Sequence, residues 1–312
     1  MHPTFSILLF TTLAGAGYGL LFVLCVGILL GLVPPEPLLG LVGMGAALAL
    51  ITAGLLCSLG HLRRPERAWR AISQWRSSWL SREGLAAILT FIPASLLAVG
   101  WVAMGRTPWL LGLLAALGAI VTVVCTGMIY QSLAPIPRWH HRLTTPVYLA
   151  LSLTTGLVLA APLTGYWLDK PWPHLAALLA LPLAWLIKWQ WWRRTDRAAP
   201  ATTIEAATGL GALGRVRLLE PPHSGSNYLL NEMGFRVARK HAAKLRRIAL
   251  VLGALVPWLL LAVALLAPGP AFAIVLAVLA ALAALAGTLV ERWLFFAEAR
   301  HVMTVYYGEP AV

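Results

Sequence analysis

Three polar side chains, within a short basic stretch of sequence between two apolar segments, have the chemistry of a proton-exchange site. His61 can donate or accept a proton near neutral pH. A carboxyl group at Glu83, partly withdrawn from water, also suits proton exchange. Arg67, between them in sequence, can hold that carboxylate or polarise a carbonyl oxygen. These residues therefore predict a site that exchanges protons with a bound carbonyl compound.

Each of the three residues also has a purely structural interpretation. His61 suits a hydrogen bond at a helix end, and Arg67 suits a contact with lipid phosphate. Glu83 suits the first turn of a helix, where a negative charge stabilises the helix dipole. Taken singly, each residue is explained by structure alone. Their convergence beside one basic segment favours a shared site.

The elements that must position these residues are predicted to be membrane-spanning helices. Of the 312 residues, 60% are hydrophobic and 11% are charged, and the mean hydropathy is +0.80, far outside the range of a soluble domain. A hydrocarbon core about 30 Å thick needs roughly 20 apolar residues per helix. In lipid, backbone polar groups must be paired within each segment. The sequence thus predicts an all-α integral membrane protein with eight transmembrane helices in a single polytopic domain, residues 1–312. The spans are predicted at about 5–33, 39–62, 84–105, 108–132, 143–166, 174–192, 247–267 and 270–296.

The distribution of Lys and Arg predicts the orientation of these helices. Almost all basic residues fall in alternate gaps between the spans, as the positive-inside rule describes. The net charge of +13 is therefore a topology signal, and we expect membrane lipids and no nucleic acid as partners. Both termini are predicted to be cytoplasmic, with a long basic cytoplasmic loop, residues 193–246, between helices 6 and 7. The bacterial inner (plasma) membrane is the expected location.

Two basic segments on the predicted cytoplasmic side are candidates for docking a soluble partner. The first, residues 63–83, combines arginines with an apolar stripe at helical spacing. The second is the 193–246 loop, which is much longer than an ordinary connection between helices. Contact with lipid headgroups is the alternative for both. The residues predicted to contact the partner are Arg63, Arg64, Arg70, Arg76, Arg236, Arg239 and Lys240.

Ionisable residues are scarce at the predicted mid-depth of the membrane, which disfavours several functions. A pump needs a charged relay there, and a coupled transporter needs a midplane site built from broken helices. Lys188 is expected to extend to the inner interface. Two haems would need histidine pairs at two depths, and we expect neither haem nor a metal site. A single haem near the cytoplasmic face stays open, held by two of His61, His140, His141, His241 and His301.

A polar pocket near the inner interface, among apolar helices, suits a small amphiphile. A quinone needs an apolar slot for its tail and donors for its carbonyl groups. It also needs a nearby acid or base for the two protons that accompany two electrons. The sequence therefore predicts a quinone site in which His61, Arg67 and Glu83 bind the head group and transfer protons.

Two short motifs resemble a known family. The stretch His61-Leu62-Arg63-Arg64-Pro65-Glu66-Arg67-Ala68 is similar to the H-L-x-x-P-x-R-A motif of the dimethyl sulfoxide reductase membrane anchor family (DmsC-like). Leu80-Ser81-Arg82-Glu83 is similar to the L-S-x-E at the start of that family's third helix. A weaker match lies at the end of the last span, from Arg292 to Val305. Local identity covers about a tenth of the chain, whereas the eight-helix plan covers nearly all of it.

The resemblance implies a complex of three parts. A molybdopterin catalytic subunit performs the substrate chemistry, and a ferredoxin-like iron–sulfur subunit carries electrons. The molybdenum cofactor and iron–sulfur clusters then lie only in partner subunits, and the anchor has no substrate-oxidising centre of its own. In the family, the histidine and glutamate that match His61 and Glu83 are implicated in the quinone site, and Arg67 matches the motif arginine. The family's anchor carries no haem.

The long basic loop departs from the reductase anchors. Its stretches ATGLGALGRVRLLEPPH and MGFRVARKHAAKLRR are more similar to the anchors of cytoplasmic sulfite dehydrogenases (SoeC type). This similarity implies cytoplasmic partners and reduction of ubiquinone or menaquinone coupled to sulfite oxidation, a step of sulfur metabolism. Three alternatives stay open: a quinol-oxidising anchor of a sulfoxide-type reductase in anaerobic respiration, a haem-bearing relative, and a stand-alone transporter.

Overall fold

The computed structural model describes residues 4–60, 65–164, 166–168, 170–220 and 237–312. Within these ranges the chain is helical and forms no β-strand. Eight segments are long and apolar enough to cross a membrane, which confirms the predicted number of spans. Helices α1 to α6 are Phe5–Leu29, Pro37–Leu59, Trp79–Met104, Trp109–Gln131, Thr144–Ala160 and Trp172–Arg197. The short helix α7 is Ile204–Thr208, and the last two spans contain α8 (Val237–Leu250), α9 (Val256–Ala264) and α10 (Pro270–Ala297).

Several helix ends differ from the predicted boundaries. Helix α3 begins at Trp79 rather than at 84, because the Ser78 hydroxyl caps it by accepting a 3.4 Å hydrogen bond from the Ser81 amide. Glu83 therefore lies in the second turn of α3 and not in the first turn, where the structural interpretation put it. Helix α6 continues to Arg197 and α8 already begins at Val237, so both ends of the predicted 193–246 loop are helical. Hydropathy marks only the apolar part of such helices.

Small residues let the helices approach closely. A Cβ atom added at Gly19 of α1 would clash with the Ser152 backbone of α5, and Gly156 is equally tight against Gly19. The Ser152 hydroxyl donates to the Gly15 carbonyl at 2.5 Å across the same contact. This contact holds α1 at the centre of the bundle, where it borders the candidate site.

The seventh span is interrupted by a π-helical turn, Val251–Leu255, between α8 and α9. The Gly253 carbonyl in this turn accepts a 2.8 Å hydrogen bond from the Trp185 indole of α6. Gly287 of α10 packs against the backbone of Gly253, where a side chain would clash. The turn thus joins α6, α9 and α10 without leaving the released carbonyl unpaired.

Four charged side chains form a closed ring where α6 and α10 end; we call this end of the bundle the basic end. Arg138, between α4 and α5, binds Asp196 at 2.8 Å and Glu298 at 2.7 Å. Arg246 of α8 binds the same two carboxylates, at 2.6 Å to Asp196 and 2.8 Å to Glu298. The ring ties α6, α8 and α10 to the α4–α5 connection and contains two positive and two negative charges.

Candidate functional site

Glu83 is a buried carboxylate held between α3 and α4. Only 4% of its surface is exposed. The Thr126 hydroxyl of α4 donates a hydrogen bond to Glu83 Oε1. Thr126 and Thr122 are four residues apart and share one face of α4. Thr122 lies 3.3 Å from the Thr90 hydroxyl of α3, so a row of threonines sets the register of the two helices.

A cavity of about 570 Å³ lies beside Glu83, and Arg67 lines it as well. The structure thus brings together two of the three predicted site residues, although α3 and the segment before it are different elements. Most of the remaining wall is apolar. It consists of Phe10, Thr52, Leu55, Leu56, Ser58, Leu59, Ala68, Trp69, Ile72, Leu80, Ser81, Gly84, Ile88 and Phe91. The cavity can therefore hold a small molecule with a polar head and an apolar body.

A second cavity of about 610 Å³ continues from the first between α2 and α3. The two share a stretch of wall formed by Leu55, Gly84, Ile88 and Phe91. Apart from Ser95, the side chains of the second cavity are hydrocarbon or aromatic. Ile88 and Ile92 are about half exposed on the outer surface of the bundle, at 48% and 55%. The two cavities form one groove with a polar end at Glu83 and an apolar end facing the lipid.

The segment before α3 covers the polar end of this groove. It forms a 3₁₀ helix, Pro65–Gln74, from which Arg67, Trp69 and Ile72 reach the cavity. The predicted apolar stripe is therefore only partly buried, because Trp69 and Trp75 remain 66% and 48% exposed. Arginines lie over the tryptophan rings. Their distances to the ring centroids are 5.4 Å for Arg70 over Trp69, 5.4 Å for Arg76 over Trp75 and 4.2 Å for Arg82 over Trp79.

The other predicted residues differ in whether the structure describes them. His61, Arg63, Arg64 and Arg236 lie outside the described residues. Arg239 and Lys240 belong to α8, where only their backbone is described. Arg70 and Arg76 are exposed on the segment beside the cavity. The arrangement is compatible with a docking face next to the groove.

A second buried polar cluster was missed by the sequence analysis. The prediction that Lys188 extends to the interface is wrong: its side chain is 0% exposed and its ammonium lies 2.5 Å from Glu291 Oε1. Arg292 Nη1 lies 3.4 Å from Glu291 Oε2, and its guanidinium stacks 3.6 Å from the centre of the Tyr148 ring. Lys188, Glu291 and Arg292 form what we call the buried triad. An adjacent Glu-Arg pair in the last apolar span was the available signal, because charges at membrane depth need partners.

Two histidines near the basic end use a ring nitrogen to cap turns. His141 Nδ1 accepts a 3.1 Å hydrogen bond from the Leu143 amide, and His301 Nδ1 accepts one of 3.1 Å from the Met303 amide. Burial lowers the pKa of His141, and the neighbouring Arg194 and Arg142 lower it further. Burial also lowers the pKa of His301. Both rings thus favour the neutral form, which can accept these bonds.

The fold and this groove define a class: a multi-pass membrane protein with an amphiphile-sized cavity built around a buried carboxylate. Comparison with known proteins narrows the class. The chain belongs to the DMSO reductase anchor subunit (DmsC) family, whose model matches residues 1–308. It is also 34% identical, over the full length of both chains, to the C subunit of the sulfite dehydrogenase of Allochromatium vinosum. The predicted family is confirmed, including the similarity to sulfite dehydrogenase anchors.

Proposed function

We propose that this chain is the quinone-reactive membrane anchor of a molybdopterin and iron–sulfur oxidoreductase, and that it reduces quinone with electrons from sulfite oxidation. The observation that carries the proposal is the groove, because its polar end holds Glu83 and Arg67 and its other end is apolar and faces the lipid. That polarity matches a quinone, which has two carbonyl oxygens at one end and a hydrocarbon tail at the other. Ubiquinone and menaquinone both fit this description.

The residues of the groove have distinct roles in this proposal. Arg67 donates hydrogen bonds to one quinone carbonyl and stabilises the negative charge that develops on it during reduction. Glu83 delivers a proton to the reduced head group and is held in place by the Thr126 hydroxyl. His61, beyond the described residues, is the proposed second proton donor. Two protons and two electrons convert the quinone to the quinol.

Sulfite oxidation is proposed on the likeness to the Allochromatium vinosum protein and on the position of the groove. The likeness extends over both complete chains. Glu83 and Arg67 lie near the start of α3, and the alternation of the spans puts that start on the side where α6 and α10 end. The positive-inside rule assigns that side to the cytoplasm. Partner subunits docked there would be cytoplasmic, as expected for a sulfite dehydrogenase of the cytoplasm. Because electrons and protons then arrive from one side, the step itself moves little net charge across the membrane.

The exposed arginines beside the groove are the proposed docking surface. Arg70 and Arg76 lie over exposed tryptophans on the segment that covers the polar end of the cavity. An iron–sulfur subunit bound to this segment would lie directly above Glu83 and the quinone head. The molybdopterin subunit would bind to that iron–sulfur subunit.

Purification of the tagged chain from its native membrane in mild detergent tests the proposal. Mass spectrometry should identify a molybdopterin subunit and a ferredoxin-like subunit, and the complex should reduce a quinone analogue when sulfite is added. Recovery of the chain alone from several detergents, together with transport activity in liposomes, would overturn the proposal in favour of a transporter. Haem absorption bands in the reduced-minus-oxidised spectrum of the purified chain would contradict the expectation that this anchor binds no haem.

A further inference from the structure

A small polar cavity lies inside the bundle, separate from the groove. It is enclosed by α1, α4, α5 and α10 and has about 10 Å³ of room for the centre of a water molecule, which is enough for one. Its wall includes Thr12, Tyr18, Thr126, Tyr148 and Arg292. A lining this polar is unusual in the interior of an apolar helical bundle.

Several groups in this wall need a hydrogen-bonding partner. The hydroxyls of Thr12, Tyr18 and Tyr148 are buried and make no well-aligned hydrogen bond within the described part of the chain. Arg292 Nε is in the same condition, and Arg292 Nη1 has only its 3.4 Å ion pair with Glu291 Oε2. Unpaired polar groups in a membrane interior are costly, and a single bound water has donors and acceptors for up to four of them. The cavity therefore has the size and the chemistry of a hydration site.

Thr126 connects this cavity to the groove. Its side chain lines the small cavity, and its hydroxyl donates to Glu83, which lines the groove. A threonine oxygen that donates to a carboxylate can still accept a hydrogen bond from a water molecule. Arg292, a member of the buried triad, also lines the small cavity.

The charges of the triad do not cancel among themselves. Lys188 and Arg292 carry two positive charges and Glu291 carries one negative charge, which leaves one positive charge in excess. The ring at the basic end is balanced within itself, since Arg138 and Arg246 match Asp196 and Glu298. A further negative charge inside the bundle is available at Glu83, which is 4% exposed.

We infer that a water molecule in this cavity bridges Thr126 and Arg292, and that the excess positive charge of the buried triad is the counter-charge of Glu83. Arg292 is then a positioning residue for the proton chemistry: it keeps Glu83 ionised in a buried place until the carboxylate takes up a proton. The consequence for turnover rests on the proposed function, whereas the electrostatic coupling does not.

Other titratable and charged groups also face Glu83. They come from each packed element and include Tyr18 of α1, Cys125 and Tyr130 of α4, Tyr148 of α5, Arg67 of the covering segment and Arg82 of α3 itself. Tyrosine and cysteine are neutral near pH 7. Arg82 donates to the carbonyls of Trp75 and Arg76 and stacks on Trp79. Arg67 lies in the groove, where a bound head group competes for it. Arg292 is the cation whose counter-charge is otherwise incomplete.

Infrared titration of the purified complex measures this coupling without turnover. The stretching band of a protonated carboxyl that disappears in Glu83→Gln reports the ionisation of Glu83. In Arg292→Gln we expect the midpoint of that band to rise by roughly one pH unit, because a nearby positive charge is lost. Arg292→Lys keeps the positive charge and should therefore leave the Glu83 midpoint close to that of the wild type.

A second pair of variants tests the water molecule separately. Thr12→Val removes one unpaired hydroxyl of the cavity wall at nearly constant volume and should move the midpoint in the same direction by less. Thr154→Val on α5 changes a buried threonine that does not line the cavity and should leave the midpoint unchanged.

An unchanged Glu83 midpoint in Arg292→Gln would overturn the inference, and equal midpoints in Thr12→Val and Thr154→Val would remove the water from it. If Arg292→Gln does not assemble, Lys188→Met, which also removes the excess positive charge of the triad, should raise the Glu83 midpoint in its place, and an unchanged midpoint there would overturn the inference. Full quinone turnover in both Glu83→Gln and His61→Ala, with the midpoint shift still observed in Arg292→Gln, would refute the proposed function and leave this coupling standing.

Discussion

Glu83 and Glu291 are two buried carboxylates toward the same end of the bundle, with 4% and 0% of their surfaces exposed, yet their surroundings differ sharply. Glu291 lies between two cations, Lys188 at 2.5 Å and Arg292 at 3.4 Å. Glu83 accepts a hydrogen bond from the neutral Thr126 and borders a cavity of about 570 Å³. Glu291 is enclosed in an ion cluster, whereas Glu83 borders a cavity that a small molecule can enter.

This difference shows that burial alone does not mark a functional carboxylate in a membrane protein. An ionised group enclosed by opposite charges is stabilised in one protonation state and serves packing. A carboxylate with one neutral partner and a reachable cavity can change its protonation state when a ligand binds. Substitutions at each glutamate and around it can test whether the two behave as this contrast requires.

Replacing Glu83 should give the largest functional effect. Glu83→Gln keeps the shape of the side chain and removes the exchangeable proton, so quinone-linked turnover should fall by roughly a thousandfold. The complex should still assemble, because glutamine can accept the Thr126 hydrogen bond. Activity with a soluble electron acceptor at the catalytic subunit measures assembly. His61→Ala should likewise abolish quinone-linked turnover in an assembled complex.

Glu66→Gln is the matched control for Glu83, because Glu66 is exposed on the covering segment. It should leave quinone turnover near that of the wild type. Full quinone activity in both Glu83→Gln and His61→Ala would contradict the assigned site.

Replacing Glu291 should chiefly affect stability. Glu291→Gln leaves Lys188 and Arg292 without their carboxylate partner inside the bundle, a change that costs about 3–5 kcal/mol for a broken buried pair. Thermal unfolding in detergent should therefore show a much lower transition temperature. The double variant Lys188→Met/Glu291→Leu removes the close pair together and should recover much of the loss. A Glu291→Gln protein as stable as the wild type would erase the contrast between the two carboxylates.

The sequence predicts the role of Glu83 better than that of Glu291. The eight spans follow from apolar length alone. A carboxyl group such as Glu83 at the edge of a span is easy to notice, because a charged group there is energetically costly. The triad joins α6 to α10, and its geometry depends on how these helices rotate against each other. Hydropathy carries no such information, so Lys188 was expected to extend to the interface. The hydrogen bond from Thr126 to Glu83 could not be predicted from the sequence either, because it depends on the register between α3 and α4.

The opening of the groove at Gly84 provides a smaller test of the functional side. A Cβ atom at Gly84 would meet no atom within 4 Å, so a larger side chain there projects into the cavity without disturbing the helix packing. Gly84→Leu should raise the KM for a quinone analogue about tenfold, equivalent to ~1.4 kcal/mol. Gly45→Leu is the control, because Gly45 is exposed and equally open but lies outside both cavities. Equal KM values for the two variants would place the quinone elsewhere.

The ring at the basic end should show the smallest effect, which sharpens the contrast with the buried triad. Asp196 pairs with Arg138 and Arg246, as Glu291 pairs with two cations, but the side chain of Asp196 is 38% exposed. Water and salt screen such charges, so Asp196→Asn should cost only about 0.2–1 kcal/mol and lose most of that cost at high ionic strength. Thermal unfolding of Asp196→Asn and Glu291→Gln at two salt concentrations compares the clusters directly. The contrast would fail if both variants lost the same stability with the same salt dependence. Water and salt would then screen the buried triad as they screen the ring, although Lys188 is enclosed by packing.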